Sequence, residues 1–244
     1  MAWRRFHFDI VDSTNDRAFA AIEAGTARHG DLFIAGSQTA GRGTRGRRWE
    51  SRPGGLYVSA VVESPDLPAP GAWTIAGALA VHDVAIASGV DAALDWPNDL
   101  VGPGGAKIAG VLAESRGLGA GRPALFVVGV GLNVAGVPRE IRMQRPVASL
   151  RELGGDLGVD AAGDQLAGAL EARIGAMTES PTEEYRAFFE RSLGAHEPVA
   201  VTVGETEVRG TWTDLTPDQG LRIAADDGRI RHVSIAHARD VRRR

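Results

Sequence analysis

Near Gly194 the chain stops interleaving helical and extended patterns and becomes a run of short extended segments, and this change limits the folds open to it. Downstream, Pro198 to Val203, Glu207 to Leu215, Gly220 to Ala224 and Ile230 to Ser234 are strand-like, divided by turns such as Asp226-Asp227-Gly228. Short strands at such close spacing suit a small β-barrel. Upstream, both periods alternate, which suits a sheet carrying helices on its faces. The expected division of the 244 residues is therefore 1–194 and 195–244.

The upstream part opens with Trp3 to Val11, whose Phe6, Phe8 and Ile10 recur at the strand period of two. Ser13 or Thr14 then caps a helix bearing Ala18, Phe19 and Ile22, which Gly25 ends. Leu32 to Ala35, Leu56 to Val62 and Ala92 to Trp96 read as strands, and Ala72 to Ala87 as a largely buried helix. Trp96-Pro97-Asn98-Asp99 reads as a turn. Val101 to Ala106 is a hairpin connection into Lys107 to Glu114, which pairs antiparallel with Ala124 to Val130. Asp164 to Met177 and Thr182 to Leu193 are amphipathic helices, and Arg242 to Arg244 are expected to be a solvated end.

Composition removes several chemistries. With no cysteine there is no disulfide, thiolate nucleophile or cysteine-held metal, and the six histidines lack ligand spacing, so no metal ligands are assigned. A net charge of −4 argues against DNA or RNA as a partner. No apolar run reaches the ~18 residues of a membrane span, and no apolar stretch follows the first arginines as in an export signal. Cytoplasm is the expected compartment.

The strongest candidate for chemistry is the stretch Gln38 to Trp49, with three glycines, four arginines and no apolar period. It reads as a long mobile loop. Glycines let backbone N–H groups approach an anion, arginines match phosphate or carboxylate, and Trp49 offers a flat face to a purine. Lys107 follows a Gly-rich turn and is the single lysine among 27 basic residues. A compact ammonium there could neutralise a carboxylate and a phosphate together. Ser13-Thr14-Asn15, Asn98-Asp99 and Gly129-Val130-Gly131-Leu132-Asn133 complete the candidates, each also readable alone as a cap, a turn or strand-end packing.

Taken in order, these segments resemble the biotin–protein ligases. The resemblance rests on Asp12-Ser13-Thr14-Asn15, the Gln38–Trp49 loop, Trp96-Pro97-Asn98-Asp99, Lys107-Ile108-Ala109-Gly110-Val111-Leu112-Ala113-Glu114 and Gly129-Val130-Gly131-Leu132-Asn133, and spans residues 3–240. It implies an α+β fold, with a mixed sheet like that of class II aminoacyl-tRNA synthetases, flanking helices and a small C-terminal SH3-like β-barrel. It also implies that the winged-helix DNA-binding domain of some members is missing. The implied reaction joins biotin to MgATP as biotinyl-5′-AMP, with pyrophosphate released. Biotin then passes to a lysine of a biotin carboxyl carrier protein. A homodimer is left open.

By position, the resemblance assigns biotin to Ser13, Thr14, Asn15, Gln38, Arg42, Gly43, Thr44, Lys107 and Gly110. It assigns ATP and the adenylate to Arg42, Gly43, Arg45, Arg47, Trp49, Asn98, Lys107 and Asn133. Lys107, Arg42 and Asp99 would be catalytic, with Asp99 orienting the acceptor lysine or the metal. Two positions depart from the pattern: Thr44 stands where the loop usually has arginine, and Asp95 where lysine usually precedes Trp-Pro-Asn-Asp. Both remove a cation near the anionic substrates, and Arg45 is the candidate for compensation. A relative activating lipoate or another carboxylic acid, and a non-catalytic biotin- or nucleotide-binding module, are the alternatives.

Overall fold

The computed structural model describes residues 3–64, 70–116, 125–137 and 145–244. Twelve strands and four α-helices follow in chain order: β1 (Arg4–Val11), α1 (Thr14–Glu23), β2 (Asp31–Gln38), β3 (Gly55–Glu63), α2 (Pro70–Ala87), β4 (Ala93–Asp95), β5 (Asp99–Val101), β6 (Lys107–Ser115), β7 (Leu125–Asn133), α3 (Val159–Glu179), α4 (Pro181–Glu190), β8 (Pro198–Val203), β9 (Thr206–Thr216), β10 (Gly220–Ala225), β11 (Ile230–Val233) and β12 (Ala238–Arg243). Seven strands form a mixed sheet in the order β1-β2-β3-β7-β6-β5-β4, parallel between β1 and β2 and antiparallel elsewhere. The expected strand beginning at Ala124 starts at Leu125 among the described residues, and Ala124 itself lies outside them.

Strand parity sorts this sheet into two faces. Leu32, Ile34, Val58, Ala60, Val62, Val128 and Val130 face α2, α3 and α4 in the main core. Phe33, Val61 and Val127 face α1, where Ala18, Phe19 and Ile22 cover them. Helix α1 is short, and Tyr57, Ser59, Gly129 and Gly131, which continue that face, lie beyond its first turn. The N-cap Ser13, whose side chain accepts from the Asp16 N–H, therefore stands at the edge of a stretch of sheet that no helix covers.

The remaining strands form an antiparallel sheet in the order β11-β10-β9-β8-β12. Its Trp212 packs edge-on to Trp96 and Phe189, so the C-terminal part shares a core with the mixed sheet and α4. The tail is a correction to the sequence reading. The side chains of residues 242–244 are exposed as expected, but their backbone is not a free end, because β12 pairs with β8 and the Arg244 N–H donates to the Pro198 carbonyl at 3.0 Å. The arginine run hides this strand, since Ala238 and Val241 turn inward while the arginines make surface ion pairs with Glu207 and Asp226. Strand β1 differs too. Its apolar alternation is real, but β1 lies at the sheet edge, leaving Phe6 37% and Ile10 68% exposed.

Candidate functional site

Over the helix-free stretch of sheet lies a cavity of about 360 Å³. Glycines in its floor let side chains from elsewhere lie on the strands. Gly110, Gly131 and Asp99 are cross-strand neighbours, and a Cβ on Gly131 would fall 2.5 Å from the Trp49 indole. A Cβ on Gly129 would fall 2.2 Å from the Asn15 side chain. Glycine is required there because other groups lie directly on the strand.

One end of the cavity is neutral. The Thr14 N–H donates to Gln38 Oε1 at 2.7 Å, and Thr14 Oγ1 lies 3.1 Å from the same oxygen. Gln38 Nε2 donates to Ser51 Oγ at 2.8 Å. The fully buried Ser59 hydroxyl sits 2.7 Å from Thr14 Oγ1 and 2.6 Å from Asn15 Oδ1. These interlocked amides and hydroxyls fix one another's rotamers, as buried polar groups must to avoid desolvation loss.

The middle is spanned by the Gln38–Trp49 loop, which folds back on itself. Gly43 N–H donates to the Arg47 carbonyl at 2.7 Å and Trp49 N–H to the Gly41 carbonyl at 2.9 Å. Arg42 forks onto Glu114 at 2.8 and 2.7 Å, and Asn15 Nδ2 donates to the same carboxylate at 2.8 Å. The Arg42 Nε and Trp49 Nε1 atoms are buried without a partner among the described residues. Arg47 donates to Thr44 Oγ1 at 3.0 Å.

The far end is charged. Lys107 Nζ donates to Asp99 Oδ1 at 2.6 Å and lies 5.2 Å from the Trp49 ring centroid. Strict alternation along β6 would send Lys107 to the core with Ala109 and Val111. The register instead shifts between Leu100 and Val101, leaving Ile108 as the extra residue and turning Lys107 to the cavity. Such bulges re-aim side chains. Burial is the main influence on the ammonium and lowers its pKa from the usual value, with Asp99 opposing and Arg145 and Arg47 reinforcing the fall.

Of the expected residues, Ser13, Thr14, Asn15, Gln38, Arg42, Gly43, Thr44, Arg47, Trp49, Asn98, Asp99, Lys107 and Gly110 all line the cavity. Two do not. Arg45 turns away and donates to the Arg239 carbonyl at 2.8 Å. Asn133 is buried below the cavity, where its Nδ2 donates to the Ala148 carbonyl at 3.2 Å. Asn98 lines the wall, but its amide is committed to the Val111 carbonyl at 2.9 Å. Sequence reading passed over Ser59, Arg145 and Val147, and gave Glu114 no role of its own. Parity from Gly129 could have indicated Ser59, its cross-strand partner. No local signal marks Arg145. Among the described residues, no cluster of three His, Cys, Asp or Glu side chains could hold a metal.

Comparison with known proteins bears on this cavity. Residues 7–133 match the model of the biotin/lipoate A/B protein ligase family. The biotin–[acetyl-CoA-carboxylase] ligase of Paracoccus denitrificans is 32% identical, covering 90% of this chain and 93% of that protein. The Mycobacterium tuberculosis protein of the same name is 35% identical, covering 93% of this chain and 85% of that one. Among solved structures, the Aquifex aeolicus biotin protein ligase in complex with biotin and ATP superposes with a TM-score of 0.76 at 25% identity, over 99% of both chains.

Proposed function

The chain belongs to the biotin/lipoate A/B protein ligase family, and from that premise we propose how its residues carry out ATP-dependent ligation of biotin to a protein. The observation that carries the reading is the division of one cavity into a neutral hydrogen-bonding end and a charged end. Biotin's cyclic urea offers one carbonyl acceptor and two N–H donors and bears no charge. The Thr14–Gln38–Ser59–Asn15 network supplies neutral donors and acceptors of the matching kind. A lipoyl dithiolane has neither carbonyl nor N–H to use the capacity these groups have left, such as the second N–H of Gln38, whereas the urea of biotin has both.

The biotin carboxylate then reaches the middle of the cavity, beneath Arg42 and Lys107. Attack of a carboxylate oxygen on the α-phosphorus of ATP forms the acyl–phosphate bond of biotinyl-5′-AMP and breaks the bond to pyrophosphate. Two anions must approach and negative charge must grow on the phosphate oxygens. Lys107 meets both demands with one ammonium in a water-poor setting. Arg47 faces the triphosphate, and Trp49 lies along the adenine. Magnesium brought by ATP would supply further neutralisation of the phosphate charge. The carboxylates at the charged end are already engaged by Lys107 and Arg145. In the second step the neutral amine of an acceptor lysine attacks the acyl carbon and AMP leaves. Asp99 stands where it could orient that amine.

The acceptor is a lysine on a biotin carboxyl carrier domain. We place the boundary between the catalytic part and the C-terminal β part at 194/195. Trp96 Nε1 donates to the Ala238 carbonyl at 2.9 Å, and Arg45 donates to its neighbour Arg239, so the C-terminal sheet braces both the turn and the loop. Among the described residues no helix is long and apolar enough to cross a membrane. Purified protein should release pyrophosphate from ATP with biotin and not with lipoate. Release with lipoate alone would transfer the neutral end to another acid, and release with neither would reject the adenylation reading.

A further inference from the structure

The charged end contains an arrangement that the expected roles leave unexplained. Asp95 and Asp99 are directly opposed across the β4–β5 hairpin, so their carboxylates share one face. Like charges so placed destabilise a strand pair. Arg145 comes from a segment more than forty residues downstream and bridges them, donating from Nη2 to Asp95 Oδ2 at 2.7 Å and from Nη1 to Asp99 Oδ2 at 3.2 Å. Asp99 thus gives one oxygen to Arg145 and the other to Lys107. The side chains of Asp99 and Lys107 are 13% and 17% exposed, so this chain of charges is largely out of solvent.

Backbone hydrogen bonds fix Arg145 against its target. The Lys107 N–H donates to the Pro146 carbonyl at 2.8 Å, and the Ala148 N–H donates back to the Lys107 carbonyl at 3.0 Å. The strand that presents the ammonium therefore also locates the guanidinium. Asn133 steadies the same segment through the Ala148 carbonyl. The sequence departure at Asp95 now has a physical counterpart, because the carboxylate at that position anchors an arginine delivered from elsewhere.

We propose that Arg145, anchored by Asp95, is a positioning residue that acts as Asp99's second partner and so allows Lys107 to leave Asp99 for the reacting carboxylate and phosphate. A buried Lys–Asp pair with no alternative partner would hold the ammonium, since separating it strands an unpaired carboxylate. With Arg145 present, Asp99 keeps a charged donor when Lys107 turns to the substrate. Arg145 exerts its effect through Asp99 and Lys107. This rests on the adenylation reading above.

Two readouts test it, one independent of activity. In pyrophosphate release, Arg145→Ala should lower kcat about tenfold, the scale of one charge-assisted hydrogen bond. The KM values for biotin and ATP should stay within about threefold, and Arg145→Lys should restore most of the rate. Asp95→Ala should cause a smaller fall of the same kind. A raised KM for ATP at unchanged kcat would overturn the proposal by making Arg145 a direct phosphate ligand. An unchanged kcat, or failure of Arg145→Lys to restore the rate, would also overturn it.

Lys107 is the only lysine in the sequence, so its acylation by an amine-reactive ester can be read in its own peptide by mass spectrometry. In the ligand-free protein, Arg145→Ala should slow that labelling at mildly alkaline pH, because Lys107 loses a neighbouring cation and is held more firmly by Asp99. Faster labelling would mean a loosened structure and would overturn the proposal. Absence of pyrophosphate release from the unsubstituted protein would count against the adenylation reading, while the labelling would still decide the role of Arg145.

Discussion

The two ends of the cavity are built by opposite means. The neutral end, Thr14, Asn15, Gln38 and Ser59, is a set of mutually satisfied hydrogen bonds around a helix start. The charged end, Asp95, Asp99, Lys107 and Arg145, is a chain of alternating ions drawn from three separate segments. The neutral end can hold a ligand with little rearrangement, since its groups are already fixed. The charged end must exchange partners during the reaction, because Lys107 cannot serve Asp99 and a phosphate equally. Specificity and rate enhancement are therefore expected to separate along one cavity.

Substitutions should expose that separation. Lys107→Ala should cost about 10²-fold or more in kcat for pyrophosphate release, the scale of losing one transition-state donor. It should move the KM for biotin much less. An equal loss in both would erase the distinction between the ends. Gln38→Ala should do the reverse and raise the KM for biotin about tenfold, since it removes hydrogen bonds worth ~1–1.5 kcal/mol. The kcat should stay within about threefold, as initial-rate measurements can establish. A fall in kcat alone would place Gln38 with the chemistry.

The smallest effect is one of pH. Burial lowers the Lys107 pKa below its ordinary 10.5. The ammonium is the useful form, so kcat/KM, which reports the free enzyme, should decline on an alkaline limb lying below that value. Lys107→Arg should lack this limb, whatever activity it retains. The sign for stability is opposite. The unfolded chain holds the proton to higher pH than the folded one, so the cost of burying the charge lessens as pH rises from the folded pKa toward 10.5. A kcat/KM that is flat up to pH 10.5 would remove the Lys107 ammonium from the adenylation step.

Much of this architecture was legible in sequence. The short apolar runs of β2, β3 and β7, the caps around α1 and the turn at Trp96-Pro97 arise from interactions within a few residues. Within the cavity, the residues found by reading were those in compact motifs, the Gly/Arg loop and the Lys107 strand. Ser59 was passed over because one serine in an apolar strand carries no mark until β7 places Gly129 beside it. Arg145 escaped because its partners are far away in sequence and no periodicity links them. Arg45 and Asn133 lie in the right motifs, yet their side chains turn to Arg239 and to the Ala148 carbonyl. Motif membership does not specify direction.

By itself the sequence determined the materials: a glycine-cleared sheet face, an arginine-rich loop, one lysine and a β-rich ending. These follow from local backbone preference and side-chain chemistry, which nearest neighbours decide. Tertiary structure alone decided that a register shift turns Lys107 into the cavity, that Arg145 reaches back between two opposed carboxylates, and that the last arginines close a strand. Those outcomes depend on which distant backbones pair and in what register. Long-range pairing is set by the packing of the whole sheet, a quantity that no local pattern contains.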